Sequence, residues 1–126
     1  MEDMLSETKA VEIPKGSEIP HAIGDLLREH NGADVVVLEL PEPAAWTDFF
    51  VIATVTSSTH LDGLERHIKE FCWEREIDIL RQSRKPNVFS GQEDEWRIID
   101  LGSTVIHLMS HKARAFYDLE RLYFGM

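Results

Sequence analysis

The chain contains a single cysteine among its 126 residues, and this scarcity limits how the fold can be held together. Cys72 has no partner for an internal disulfide, so we interpret it as a small buried or half-buried side chain. One thiol is typical of a reducing compartment. The N-terminal stretch MEDMLSETKA is acidic and has no apolar core, so neither a secretory signal nor a transit peptide is indicated. We therefore expect the protein in the cytoplasm.

Long apolar runs are also missing. The longest, Val35–Leu38 and Phe49–Val55, have the length of strands, whereas a membrane span needs roughly 18–20 apolar residues. An apolar fraction of 43% is enough for one packed core. We predict a flexible acidic tail over residues 1–16 and a single domain over residues 17–126, with no membrane contact.

Positive charge is scarce, because 13 lysines and arginines face 23 aspartates and glutamates and leave a net charge of −10. Nucleic acid is bound mainly through cations placed on phosphates, so direct binding of nucleic acid is not expected. A basic protein partner suits this charge, since complementary fields speed encounter. The alternative is that the charge only keeps the protein in solution.

The apolar pattern predicts an α/β fold in which about five strands form a mixed sheet with helices packed on it. The strand from Asp48 to Val55 is apolar on both faces, which indicates a central place in a sheet covered on both sides. Thr59 and Asp62 resemble a capping box. The predicted elements are a helix over 17–30, strands over 34–40 and 48–55, a helix from 59 to about 76, strands over 77–80, 96–101 and 104–109, and a helix over 110–123.

The sequence offers little for metal or nucleophilic chemistry. The histidines lack the HExxH pattern of zinc hydrolases, and we interpret them as surface or packing residues. Ser57 and Ser58 lie between a strand and a helix but lack the G-x-S-x-G signature, so they are expected to cap the helix. No metal and no cofactor is predicted. The histidines considered are His60, His67, His107 and His111.

Two carboxylates keep an enzymatic alternative open. Nucleotidyl transfer needs two or three carboxylates around magnesium. Asp48 begins one predicted strand and Asp100 ends another, so the fold could bring them together. The Gly-Ser element and the D-x-D pair that accompany this chemistry are absent, and Asp48 is more simply a partner for loop amides.

The C-terminal segment from Trp96 to Phe124 has more large apolar side chains than two strands and a helix need for their own core. Such an excess indicates a surface for another molecule. Along the first strand, Trp96, Ile98 and Asp100 share one face, and Arg97, Ile99 and Leu101 share the other. Near a sheet edge, Trp96 or Leu101 would reach solvent. The residues expected to serve mainly as core are Ile98, Ile99, Val105, Phe116 and Leu119.

Two blocks of the sequence are similar to the Iojap, or ribosomal silencing factor, family. The first joins Ala33-Asp34 to DFFVIATVTSSTHL, and the second is WRIIDLGSTVIHLMSHKARAFYDLERLYF. Their combined pattern is an Asp-aromatic strand start, Thr-x-x-Ser, Trp…Asp-x-Gly…Val-x-His and Arg-x-Phe-Tyr-x-Leu-Glu. The chain departs from the family at Thr59, Ser90 and Ser103, where arginine, glutamate and aspartate are usual.

The resemblance implies a regulator of translation that is not an enzyme. Members bind the large ribosomal subunit through a basic ribosomal protein, number fourteen of that subunit, and block joining of the small subunit. It also implies a nucleotidyltransferase-like fold without catalytic residues, a homodimer in the free state, and a partner-binding surface at Trp96, Leu101 and Met109. The alternatives are a nucleotidyltransferase-type enzyme and a dimeric scaffold for another protein.

Overall fold

A computed structural model of the protein describes residues 17–41, 47–85 and 96–124. The predicted acidic tail over 1–16 lies outside the described residues, as does most of the segment 82–95. In chain order the helices are α1 (Glu18–Glu29), α2 (Ser58–Glu74), α3 (His111–Tyr117) and α4 (Leu119–Phe124). The strands are β1 (Ala33–Glu39), β2 (Phe49–Val55), β3 (Arg81–Lys85), β4 (Trp96–Asp100) and β5 (Thr104–Ser110).

The strands form one mixed sheet in the order β1-β2-β5-β4-β3. The central strands β2 and β5 run parallel, and the other neighbouring pairs are antiparallel. Every residue of β2 is buried, because its side chains are apolar on both faces and both faces are covered. The predicted five-stranded mixed sheet and the central position of β2 are confirmed.

Each face of the sheet carries its own core. Helices α1 and α2 cover one side, called here the α1/α2 face, and α3 and α4 cover part of the other, the α3/α4 face. The buried apolar residues of the α1/α2 face are Ile23, Leu27, Val35, Val51, Ala53, Val55, Leu61, Leu64, Ile68, Phe71, Cys72, Ile99, Ile106 and Leu108. Those of the α3/α4 face are Leu40, Phe50, Ile52, Trp96, Val105, Met109, Ala113 and Leu119. The predicted burial of Cys72 is thus confirmed.

Serine side chains begin two of the helices. The Ser57 hydroxyl accepts a hydrogen bond of 3.0 Å from the His60 amide at the start of α2, and Ser110 accepts one of 3.1 Å from the Ala113 amide at the start of α3. Both satisfy amides that lack a partner within the helix. The predicted capping box from Thr59 is wrong, because the chain becomes helical one residue earlier and Ser57 takes the capping position.

The third strand differs from its prediction over 77–80. Ile77 and Ile79 pack half-buried against the α1/α2 core without joining the sheet, and the strand begins only at Arg81, which pairs with Asp100 of β4. The apolar residues therefore mark a packed connection. The edge strand itself is polar, which is common where one side of a strand faces water.

The last predicted helix is divided in two. Asp118 adopts a left-handed conformation with φ of 40°, and its amide donates to the Arg114 carbonyl at 2.9 Å, which ends α3. Helix α4 then leaves in a new direction and buries Leu119 in the α3/α4 core. No helix in the described part of the chain is long and apolar enough to cross a membrane.

Candidate functional site

Trp96 occupies the first position of β4 on the α3/α4 face, where it pairs with Met109 of β5. Only 6% of its surface is exposed, and its ring lies 4.6 Å from that of Tyr117, measured between centroids. Tyr117 therefore covers much of the indole. The alternation predicted for this strand is confirmed, because Trp96 and Ile98 face one core and Ile99 the other.

The three predicted partner contacts do not share one surface. Met109 is fully buried next to Trp96, whereas Leu101 is half-buried and packs against the core of the α1/α2 face. The structure thus brings Trp96 and Met109 together and places Leu101 at the β4–β5 turn. Contact of these residues with a partner stays a prediction.

Two aromatic residues missed by sequence reasoning reach solvent beside Trp96. Phe116 is 78% exposed and Tyr117 is 39% exposed, and their rings meet edge to face at 5.0 Å. Phe116 was expected in the core, and that prediction is wrong. Helix α3 has only seven residues and buries Ala113 alone, which leaves Phe116 and part of Tyr117 in contact with solvent. We call Trp96, Phe116 and Tyr117 the aromatic surface.

A buried histidine lies beneath this surface. The Nε1–H of Trp96 donates a 3.0 Å hydrogen bond to Nδ1 of His107, and the His107 ring meets Phe50 edge to face at 4.4 Å. Burial lowers the pKa of His107 from 6.5 to about 4, because the charged ring would be poorly solvated there. The interpretation of His107 as a packing residue is consistent with this position, but its bond to Trp96 was not foreseen.

Arg114 fixes α3 and α4 to the sheet. Its guanidinium donates to the Asp34 carbonyl at 2.5 Å and to the Thr54 hydroxyl at 3.0 Å. It also forms an ion pair of 2.8 Å with Glu120 of α4. Asp34 sits at a bulge of β1 with φ of 47°, which turns its carbonyl out of the ladder. One side chain thus connects β1, β2 and both short helices, and so places Phe116 and Tyr117 firmly.

A family model described as ribosomal silencing factor during starvation matches residues 15–125. The chain belongs to the ribosomal silencing factor family. The resemblance stated from the two sequence blocks is confirmed.

The chain is similar to bacterial and to organellar proteins. A ribosomal silencing factor of Treponema pallidum is 36% identical over 102 residues, which cover 81% of this chain and 86% of that protein. A Mus musculus protein named mitochondrial assembly of ribosomal large subunit protein 1 is 35% identical over 100 residues, or 78% of this chain. The match spans only 42% of the mouse protein.

Solved structures show the same fold. A crystal structure of a Chromobacterium violaceum protein matches with a TM-score of 0.72 at 24% identity and covers 87% of each chain. A Bacillus halodurans structure matches with a TM-score of 0.67 at 25% identity, over 85% of this chain and 94% of that one.

Of the two carboxylates considered for nucleotidyl transfer, that of Asp100 has structural partners. One Asp100 oxygen accepts a 2.8 Å bond from the Gly102 amide, and the other lies 3.7 Å from Arg81. Gly102 has φ of 98° and forms the turn between β4 and β5, which pair antiparallel. Asp48 precedes β2, and its amide donates to the Ser103 carbonyl at 3.1 Å. Asp100 therefore stabilises the turn.

The histidines of the helices also have packing roles. The rings of His30 and His67 stack at 3.7 Å between α1 and α2, and Nε2 of His60 lies 3.0 Å from the His30 carbonyl. These contacts join the end of α1 to α2. Within residues 17–41, 47–85 and 96–124, no three side chains of metal-binding type are grouped as a metal site.

Proposed function

We propose that this protein binds the large ribosomal subunit through a basic ribosomal protein, number fourteen of that subunit, and thereby prevents the small subunit from joining. The match of the family model over residues 15–125 is the observation that carries this proposal. In this proposal the protein lowers translation in the cytoplasm; the family model's description names ribosome silencing during starvation. No bond is made or broken; two partners compete for one surface.

The aromatic surface supports a protein partner. Large aromatic side chains on a rigid support are frequent hot spots of protein interfaces, because they bury much area and lose few rotamers. Phe116 is 78% exposed while Arg114, two residues earlier, anchors the same helix to the sheet. A fixed and exposed phenylalanine in contact with a second exposed ring fits a protein interface.

The charge of the chain supports a basic partner. The net charge of −10 attracts a basic ribosomal protein and is repelled by ribosomal RNA elsewhere on the particle. The run Glu93-Asp94-Glu95 directly precedes Trp96 in the sequence. Three of the acidic residues are therefore sequence neighbours of a residue of the proposed contact.

The predicted contacts can now be given separate roles in this proposal. Trp96 forms the floor of the aromatic surface, and Met109 supports Trp96 from the neighbouring strand. Leu101 lies at the other end of β4, where Leu80 is 63% exposed beside Gly102. We propose that Leu101 and Leu80 form a second, smaller contact with the same ribosomal protein. In the free protein these surfaces would join two copies as a homodimer.

Sedimentation with purified large subunits tests the proposal. The protein should travel with the large subunit through a sucrose gradient at physiological salt. Adding small subunits after the protein should give fewer joined ribosomes than adding them before. Protein that remains at the top of the gradient would refute binding, and co-sedimentation without an effect on joining would refute the silencing mechanism.

Cross-linking identifies the partner protein. A photoreactive side chain at position 116 should attach to ribosomal protein number fourteen, because Phe116 is the most exposed member of the aromatic surface. The matched control carries the same group at position 73, where Trp73 is 84% exposed on α2. Attachment from position 73 alone would place the interface on α2.

A further inference from the structure

His107 is deeply buried and is hydrogen-bonded to the aromatic surface. Only 4% of its surface is exposed. Its Nδ1 accepts a hydrogen bond from Trp96, a residue of the aromatic surface. We propose that His107 is a positioning residue, whose Nδ1 holds the Trp96 indole in the orientation that supports Tyr117 and Phe116, the exposed rings that the protein partner recognises. This inference rests on the proposed function and adds a residue to its binding site.

The direction of the hydrogen bond fixes the state of the histidine. An indole nitrogen can only donate, so Nδ1 of His107 must carry a lone pair and the ring proton must lie on Nε2. The 3.0 Å distance between the two nitrogens requires the indole N–H to point toward Nδ1, which restricts the orientation of both rings. Because both side chains are buried, water does not compete for this bond.

The other ring nitrogen shows that a histidine is an unfavourable choice for packing alone. Nε2 of His107 is buried and has no hydrogen-bond partner among the described residues. A buried donor without a partner costs its desolvation free energy, and an apolar residue between Ile52 and Ile98 would avoid that cost. A locally unfavourable residue at a binding surface is best explained by its function, which here is the acceptor at Nδ1.

A series of ring contacts connects His107 to the exposed rings. The Trp96 ring lies 5.7 Å from the His107 ring and 4.6 Å from the Tyr117 ring. Tyr117 in turn meets Phe116 at 5.0 Å. If the indole rotates, Tyr117 loses the ring it rests on, and the surface offered to the partner changes shape.

Two substitutions of nearly equal shape separate positioning from packing. His107→Asn keeps an acceptor oxygen close to the place of Nδ1, whereas His107→Leu has none. We expect His107→Leu to weaken binding to large subunits about tenfold and His107→Asn to change it by no more than about twofold. The melting temperatures of the variants should not follow this order. Leucine removes the unpaired Nε2 donor, which favours the folded state, whereas asparagine buries a polar amide, which disfavours it.

A spectrum of the free protein tests the inference without ribosomes. The indole N–H signal of Trp96, assigned with Trp96→Phe, should move upfield and exchange faster in His107→Leu but stay near its original position in His107→Asn. An unmoved signal in His107→Leu would overturn the inference, and so would binding losses that follow the loss of stability in both variants. Failure of the unmodified protein to bind subunits would instead refute the proposed function, and the indole signal would still decide the role of His107.

Discussion

The rings of Trp96 and Tyr117 lie 4.6 Å apart between centroids and are inclined at 46°. This contact joins the first residue of β4 to the last residue of α3, so a strand and a short helix build one surface together. Tilted ring pairs at this separation are favourable beyond the area they bury. The exposed part of the surface therefore belongs to α3, and the sheet supports it from below.

Phe116→Ala should weaken binding to the large subunit by about 1–3 kcal/mol, the range expected for an interface hot spot. Stability should change by less than about 0.5 kcal/mol, because the side chain is 78% exposed in the free protein. Titration of labelled protein with large subunits measures the first quantity, and urea unfolding measures the second.

The matched control for Phe116 is Trp73→Ala. Trp73 is an aromatic residue of similar exposure, at 84%, but it lies on α2, away from the α3/α4 face. Its removal should leave ribosome binding unchanged. Equal losses of binding in both variants would indicate a general effect of surface aromatic residues. A loss of binding only in Trp73→Ala would place the interface on the α1/α2 face.

Much of the fold follows from the apolar pattern, because the central strands and both long helices bury continuous apolar faces. The edge strand β3 does not follow from the apolar pattern. The apolar Ile77 and Ile79 predict a strand, yet β3 is the polar segment Arg81–Lys85, since an edge strand is selected by backbone pairing with β4 and not by burial. No local pattern distinguishes these two outcomes.

The site was only partly predictable for a similar reason. Trp96 stands out in the sequence by its size, and family resemblance points to it. Phe116 has helical spacing suitable for a core position, but α3 ends at Tyr117, buries Ala113 alone and leaves Phe116 exposed. The bond between Trp96 and His107 joins residues eleven apart in the sequence and depends on the β4–β5 register. Such long-range pairings are decided by tertiary packing.

Glu76→Gly should stabilise the protein by about 1 kcal/mol, because glycine adopts a left-handed conformation without the steric cost paid by other residues. Glu76 has φ of 57° immediately after α2. Its amide donates to the Trp73 carbonyl at 3.2 Å, and the Ile77 amide donates to Cys72 at 2.9 Å, which together form a Schellman end.

Glu74→Gly serves as the control for Glu76→Gly, because it removes the same side chain two residues earlier, inside α2. There glycine should destabilise the helix by up to about 1 kcal/mol. Urea midpoints at constant m-value measure both changes. Two changes of the same sign would show that charge, and not backbone conformation, decides the effect.

Acid should destabilise the protein through His107. Its pKa is lowered by burial from 6.5 to about 4 in the folded state, so between these pH values the unfolded chain binds a proton that the folded chain does not. Stability therefore falls as the pH decreases from about 6.5 to about 4 and is unaffected by this group below that range. A shift of this size corresponds to about 3 kcal/mol as an upper estimate.

His107→Leu isolates this effect from the other titrating groups. Urea unfolding of the original protein and the variant at several pH values from 7 to 4 gives the difference in slope between them. The original protein should lose more stability on acidification than the variant. Parallel curves would mean that His107 does not resist protonation in the folded state.

Two carboxylates on α2 share the buried Arg97, and their different exposure predicts different contributions to stability. Nη1 of Arg97 lies 2.6 Å from Glu65 and 2.8 Å from Asp62, whose side chains are 19% and 63% exposed. Solvent screens the exposed pair strongly. Asp62→Asn should therefore cost less than about 1 kcal/mol, whereas Glu65→Gln should cost about 1–3 kcal/mol because the Arg97 side chain is only 8% exposed.

In the double variant neither carboxylate can compensate for the other, so the loss of stability measured by urea unfolding should exceed the sum of the single losses. Strict additivity would show that the two carboxylates do not compensate for each other at Arg97, and equal single losses would show that exposure does not decide their contributions.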